Sequence, residues 1–226
     1  MASKTPTAQA RDEVLRGLNL FLKERGFKRS GPTFNRRTAD GLTHVVNLQI
    51  SRLEPAGSLS FPDLTPIPYG KFTINLGVYV PDADLYPRPI HERNSILERE
   101  CCIRQRLGHL CPEKQDMWWR LDPNALPTSE IQMRMGQYGL PFLDRFASRD
   151  AILSELEKPG GGRWFNQPAF ARAAILAGRG HSADAHAILQ RYIDEKSNGP
   201  EASRFAKHFE LIKQFGRRLG LQELKT

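Results

Sequence analysis

Residues Lys71 to Val80 (KFTINLGVYV) alternate without a slip: Phe72, Ile74, Leu76, Val78 and Val80 share one parity, and Lys71, Thr73, Asn75, Gly77 and Tyr79 the other. A helix would scatter this pattern around its circumference. A strand sends successive side chains to opposite faces, so period 2 selects a half-buried strand. Leu42 to Ser51 repeats the arrangement, with Leu42, His44, Val46, Leu48 and Ile50 set against Thr43, Val45, Asn47, Gln49 and Ser51. Two such strands commit the chain to a sheet with one face in a core and the other available to something else.

Other elements fall into place around them. Val14, Leu18, Phe21 and Leu22 have helical spacing within residues 11–25, and Gly26 followed by Phe27 suits a Schellman ending. Phe34 to Arg37 reads as a short strand joined to Leu42 through an Asp40-Gly41 turn. Four prolines between Arg52 and Tyr69 exclude a regular element there. A short helix is expected at His91–Glu100, a strand at Cys101–Leu107 and a shorter one around Trp118-Trp119-Arg120-Leu121. After Pro127 only helices follow: Ser129 and Gln132 fit a capping box, Ser148 caps Ala151–Lys158, Pro159-Gly160-Gly161-Gly162 reads as a flexible joint, and helical runs cover Pro168–Gly178, Ala183–Lys196 and Pro200–Leu219. The two runs at Ala169–Ala177 and Ala183–Ile193 are a single helical hairpin, whereas a repeat solenoid needs several such units. The expected class is α+β, an N-terminal helix plus a mainly antiparallel sheet followed by an all-helical C-terminal part. In residue terms that is a disordered 1–10, a sheet domain at 11–126 with a proline-rich loop at 53–69, and a helical region at 127–226.

Charge enters where partners are considered. The 226 residues carry 33 Lys/Arg against 25 Asp/Glu, a net +8. Residues 1–52 hold ten Lys/Arg against four Asp/Glu, with Arg25, Lys28, Arg29, Arg36, Arg37 and Arg52 clustered among them. A basic surface of this kind attracts acidic proteins or nucleic acid as well as aiding solubility. No apolar run approaches the roughly 20 residues that span a bilayer, so no membrane partner is expected. Residues 1–10 lack the apolar stretch of a secretory signal, and three cysteines make a poor disulfide framework, so a cytoplasmic location is expected.

Cys101, Cys102, His109 and Cys111 are suitable ligand types for a metal, but adjacent cysteines on a strand point to opposite faces and zinc sites use pairs two to four residues apart. Buried thiols are the better reading, with no metal and no cofactor. There is no Gly-x-Ser-x-Gly or His-Glu-x-x-His pattern, and Gly160-Gly161-Gly162-Arg163 lacks the Lys-Ser/Thr ending of a phosphate loop. No catalytic residue is assigned. His44 lies on the apolar parity and is expected to be a hydrogen-bonded core histidine. What remains is the opposite parity of the sheet: Asn47, Gln49, Asn75, Tyr79, Arg104 and Arg106 would share one face if their strands are neighbours. Amides, a phenol and two guanidiniums can receive carboxylates or phosphates through bidentate bonds.

The order GF-K-R, TFNRR, VVNLQ, FTINLGVYV, C-x-x-R-x-RLG and WW-x-L resembles the bacterial family catalogued as domain of unknown function 4304. The likeness runs from about Val14 to Leu121 and rests on Phe27, Asn47, Gln49, Asn75, Gly77, Arg104, Arg106, Trp119 and Leu121. It implies no activity. Small α+β proteins of this style are similar to immunity proteins that neutralise bacterial toxins. The expectation is a non-enzymatic protein-binding factor, of immunity type, for a partner with an acidic surface. The alternative is a nucleic-acid-binding protein that uses the basic N-terminal surface.

Overall fold

The structure is a computed structural model, and it describes residues 5–51, 70–85, 95–197 and 206–225. The proline-rich loop at 53–69, Arg52 and the first four residues of the segment read as a helix at His91–Glu100 lie outside those residues; the described remainder of that segment holds one 3-10 turn, Glu98–Glu100, in place of the expected helix. Helix α1 (Pro6–Lys23) is followed by strands β1 (Lys28–Ser30), β2 (Thr33–Arg37), β3 (Thr43–Ile50) and β4 (Lys71–Tyr79). Then come β5 (Ile103–Arg106), the one-turn α2 (Leu107–Leu110), β6 (Trp119–Arg120), α3 (Thr128–Arg134), α4 (Leu140–Asp144), α5 (Arg149–Glu157), α6 (Pro168–Gly178), α7 (Ser182–Ser197) and α8 (Ala206–Arg218). This is the α+β layout that the periodicities predict: a helix, an antiparallel six-stranded sheet, then helices. No described helix is long and apolar enough to cross a membrane.

Several local readings hold and several shift. Gly26 (φ +81) ends α1, with the Phe27 N–H donating to Leu22 O at 3.1 Å and the Gly26 N–H to Lys23 O at 3.0 Å. That is the expected Schellman geometry. The helix starts earlier than residue 11, so residues 6–10 are not disordered: the Thr5 hydroxyl accepts from the Ala8 N–H and Pro6 occupies the first turn, where its missing N–H costs nothing. Strand β1, absent from the sequence reading, is a three-residue hairpin arm on β2. Ser148 caps α5 as expected, accepting from the Ala151 N–H. The capping box at Ser129 does not form; Gln132 donates instead to Gly17 O at 3.0 Å, tying α3 to α1 where Gly17 lets them close up. A π turn, Met135–Gly139, carries α3 into α4 ahead of Pro141. The triple glycine is not a joint. Gly160 takes φ +70, and Gly161 packs so tightly that a Cβ there would lie 1.7 Å from Glu155 O.

The sheet runs β1-β2-β3-β4-β5, with β6 also on β4. Phe34, Val46, Phe72, Ile74, Leu76 and Val78 join one buried cluster with Val14, Leu18 and Leu22 of α1 and with Ile131, Leu143, Phe170, Leu189 and Phe215 of the later helices. Side chains from both sides of residue 126 therefore share a single core. The half-buried character expected of β4 is not observed, because its odd parity is buried too. The segment 95–102 crosses that second face: Ile96 packs on Val45, Tyr79 and Cys101, and the Asn35 side chain bonds both backbone groups of Ile96.

His44 binds the sheet to the helical part. Its Nδ1 lies 2.9 Å from an Arg36 Nη and its Nε2 3.2 Å from Phe146 O, while Arg36 also pairs with Asp144. Arginine only donates, so Nδ1 accepts and the Nε2–H donates, which fixes the neutral tautomer. Burial, with Arg36 adding to it, holds the His44 pKa below its ordinary 6.5, against the opposing pull of Phe146 O and Asp144.

Two outcomes follow from these contacts. Gly161→Ala should lower the unfolding free energy by about 1–3 kcal/mol through forced displacement of backbone; Gly178→Ala, which has nothing within 4 Å, should raise it by about 0.5–1 kcal/mol, both read by urea denaturation. Because the folded pKa of His44 is depressed, its contribution is intact above pH 6.5 and is lost as pH falls below that, where only the unfolded chain takes up the proton. Urea midpoints between pH 7.5 and 5.5 should therefore fall more steeply for the wild type than for His44→Gln, and parallel slopes would contradict the assignment.

Candidate functional site

The registers place the predicted polar residues on one face. Thr33, Asn47, Asn75 and Arg106 form one rung across β2, β3, β4 and β5; Asn35, Val45, Gly77 and Arg104 form the next, and Gln49 stands opposite Thr73. Within the face the amides hold one another. Asn47 donates to the Thr33 hydroxyl at 2.9 Å, and Asn75 donates to Gln49 Oε1 at 2.8 Å. Cross-strand pairs of this kind stiffen a sheet and also fix the direction in which spare donors point.

Not all six residues remain available. Tyr79 sits under Ile96 in the second buried cluster, and its hydroxyl donates to Asp84 at 2.8 Å. Arg104 forms a bidentate bond with Glu98, at 2.5 and 2.9 Å, which stabilises its charge and raises its pKa further. Arg106 pairs with Asp116 and lies over the Trp118 ring, 5.3 Å from its centroid. Asn47, Gln49, Asn75, Arg104 and Arg106 are thus brought together, the two arginines already paired with carboxylates, whereas Tyr79 is removed from them.

Two hollows open beside this patch. The smaller, about 290 Å³, is lined by Gln49, Asn75, Glu98, Arg104, Gln105, Arg106 and His109. The larger, about 1190 Å³, lies between α1, the β1–β2 turn, the end of β3 and residues 95–99, and its lining includes Arg11, Arg29, Asn47, Gln49, Arg99 and Trp118. Gln49 borders both. Arg11 is held by Asp12, and among the described residues Arg29 uses only its Nε, on Gly31 O. Arg99 is exposed and has no partner among the described residues. Sequence reasoning missed Arg99, Arg11 and Trp118 as site residues and counted Arg29 only within a basic cluster. No periodicity links residue 99 to residues 11 and 29; only the path of 95–101 over the sheet does.

The cysteines stand apart from this chemistry. Cys101 packs against Gly77 on the polar side of the sheet and Cys102 against the main core, so the neighbours face opposite ways. Burial raises the Cys101 pKa well above its ordinary value and pushes Cys102 up to about 12, which keeps both as thiols. Among the described residues no group of three or more His, Cys, Asp or Glu is placed to hold a metal ion.

A family model described as a domain of unknown function, DUF4304, matches residues 18–145, which takes in every strand of the sheet and runs on through α4. Searches of curated proteins and of solved structures give no significant match.

One residue of the face carries a cost. The Thr73 side chain is fully buried, and its hydroxyl has no hydrogen-bond partner among the described residues. Thr73→Val keeps the β-branched shape and removes an unsatisfied polar group, so it should stabilise the fold by about 1 kcal/mol. A lowered melting temperature would show that the hydroxyl is satisfied in solution.

Proposed function

This chain belongs to the DUF4304 family, a domain of unknown function, and from that premise we propose that it is a non-enzymatic factor that binds another protein with an acidic surface across the polar face of its sheet. The observation that supports this most is the surplus of donors. Asn47 and Asn75 donate inside the face, to Thr33 and Gln49, and the surplus beside it is of charged donors: the guanidiniums of Arg29 and Arg99 line the larger hollow, where the one carboxylate among the described lining residues, Asp12, is held by Arg11. A surface with more donors than acceptors selects a partner rich in carboxylates. The narrower form of the reading, an immunity-type factor that neutralises a bacterial toxin, rests on the layout alone. A cytoplasmic setting is part of the proposal, because three free thiols suit a reducing compartment.

Nucleic acid is the alternative, and the N-terminal cations weigh against it. Arg36 is engaged by His44 and Asp144, and Arg25 lies over Phe21 and donates to its carbonyl. Fewer free charges are left to track a phosphate backbone than the count of basic residues implies.

Gln49→Glu provides the test. Glu can still accept the Asn75 bond, so the variant adds one negative charge and little else. Affinity capture from cells of the source organism, followed by mass spectrometry, should return a protein bound by the wild type and at least tenfold depleted with Gln49→Glu. Equal capture by both, or capture of nucleic acid that is lost steeply with added salt, would overturn the reading.

A further inference from the structure

We propose that the larger hollow is a docking groove for an extended acidic segment of the partner protein, its carboxylates received by Arg29 and Arg99. This rests on the reading of the chain as a binder of acidic protein surface, and it names where and in what form the partner is held. Neither arginine is among the residues that the alternation of the strands singles out for the site.

Three observations converge on the groove. The first is charge: Arg11, Arg29 and Arg99 line it, Asp12 is the one carboxylate among the described lining residues, and Asp12 is already committed to Arg11. Arg99 brings a whole guanidinium without a partner among the described residues, and Arg29 brings both of its terminal nitrogens. The second is size. The hollow, about 1190 Å³, is far larger than the space one carboxylate or phosphate fills. A run of several residues fits that space.

The third observation is backbone. Strand β2 begins at Thr33, opposite Asn47, and the Leu48 N–H reaches Pro32 O at 2.9 Å. Beyond that bond the β2-facing side of β3 at Ile50 has no paired strand among the described residues. An extended peptide can add to such an edge through main-chain bonds while its alternate side chains reach toward the arginines. Base stacking finds much less here. Among the described residues Trp118 is the one aromatic lining the groove, and its ring already receives Arg106, whereas single-stranded nucleic acid is held on successive aromatic platforms.

The experiment uses the full chain and a fluorescein-labelled ten-residue peptide of alternating Asp and Thr, with anisotropy as readout and melting temperatures to confirm that each variant folds. The wild type should bind the peptide. Arg29→Ala/Arg99→Ala should weaken it at least tenfold, and Arg172→Ala/Arg191→Ala, which removes two exposed charges on α6 and α7, should leave it unchanged. Equal losses in the two double variants would reduce the binding to bulk charge and overturn the groove. So would no peptide binding at all, or an Arg29/Arg99 variant that binds like the wild type. If either result came with a captured protein that Gln49→Glu still repels, the acidic-partner reading would stand and only the groove would fall. Tighter binding of a labelled ten-nucleotide single strand than of the peptide would overturn both.

Discussion

Strand β4 is hydrogen-bonded along both edges and buried on both faces, and the remaining elements are arranged to meet those four demands. β3 takes one edge along its length; β5 and β6 divide the other, at Asn75–Val78 and Lys71–Phe72. One face meets α1 and the later helices, and the other meets the segment 95–102. The closest approach is at Gly77, where a Cβ would stand 2.6 Å from Cys101 Sγ. Any side chain there would lift the covering segment and expose Val45 and Tyr79. A glycine inside a strand usually weakens it through lost packing; here the missing side chain is replaced by a thiol from another part of the chain.

That covering segment determines what the polar face can do. Held by the two bonds between Asn35 and Ile96, it brings Glu98 onto Arg104 and leaves Arg99 exposed in the lining of the larger hollow. One short stretch thus neutralises one arginine of the sheet and presents another beside it. The effect is to move the available positive charge from β5 toward the end of β3, where α1 and the β1–β2 turn supply the rest of the wall.

How far this was legible in the sequence can be judged residue by residue. The alternation in Thr43–Ser51 and Lys71–Val80 predicted both the strands and the grouping of Asn47, Gln49 and Asn75, because parity is a local property that neighbouring strands inherit through register. His44 on the apolar parity was readable as a bonded core histidine for the same reason. Parity says nothing about coverage. Tyr79 has the same alternation as Asn75, yet it lies under Ile96, and no local pattern announces that a segment some twenty residues later folds back across the sheet. The glycine run failed differently. Composition suggested freedom at Gly160–Gly162, whereas the requirement was close approach to Glu155 O, a tertiary contact that glycine alone allows.

The self-pairing of Arg104 and Arg106 bears on specificity more than on affinity. Exposed ion pairs contribute little to stability, about 0–1 kcal/mol each, so Glu98 and Asp116 are weak explanations for the fold. They do satisfy two guanidiniums that would otherwise attract any anion. An unscreened row of arginines would bind polyanions indiscriminately, whereas with the inner pair neutralised the guanidiniums of Arg29 and Arg99 are the charges that line the larger hollow without an ion-pair partner among the described residues. On the proposed reading, discrimination would then come from geometry. A partner would have to bring carboxylates at a spacing that matches two separated guanidiniums and a backbone that can lie along β3, and phosphate density alone would meet only the first of these requirements.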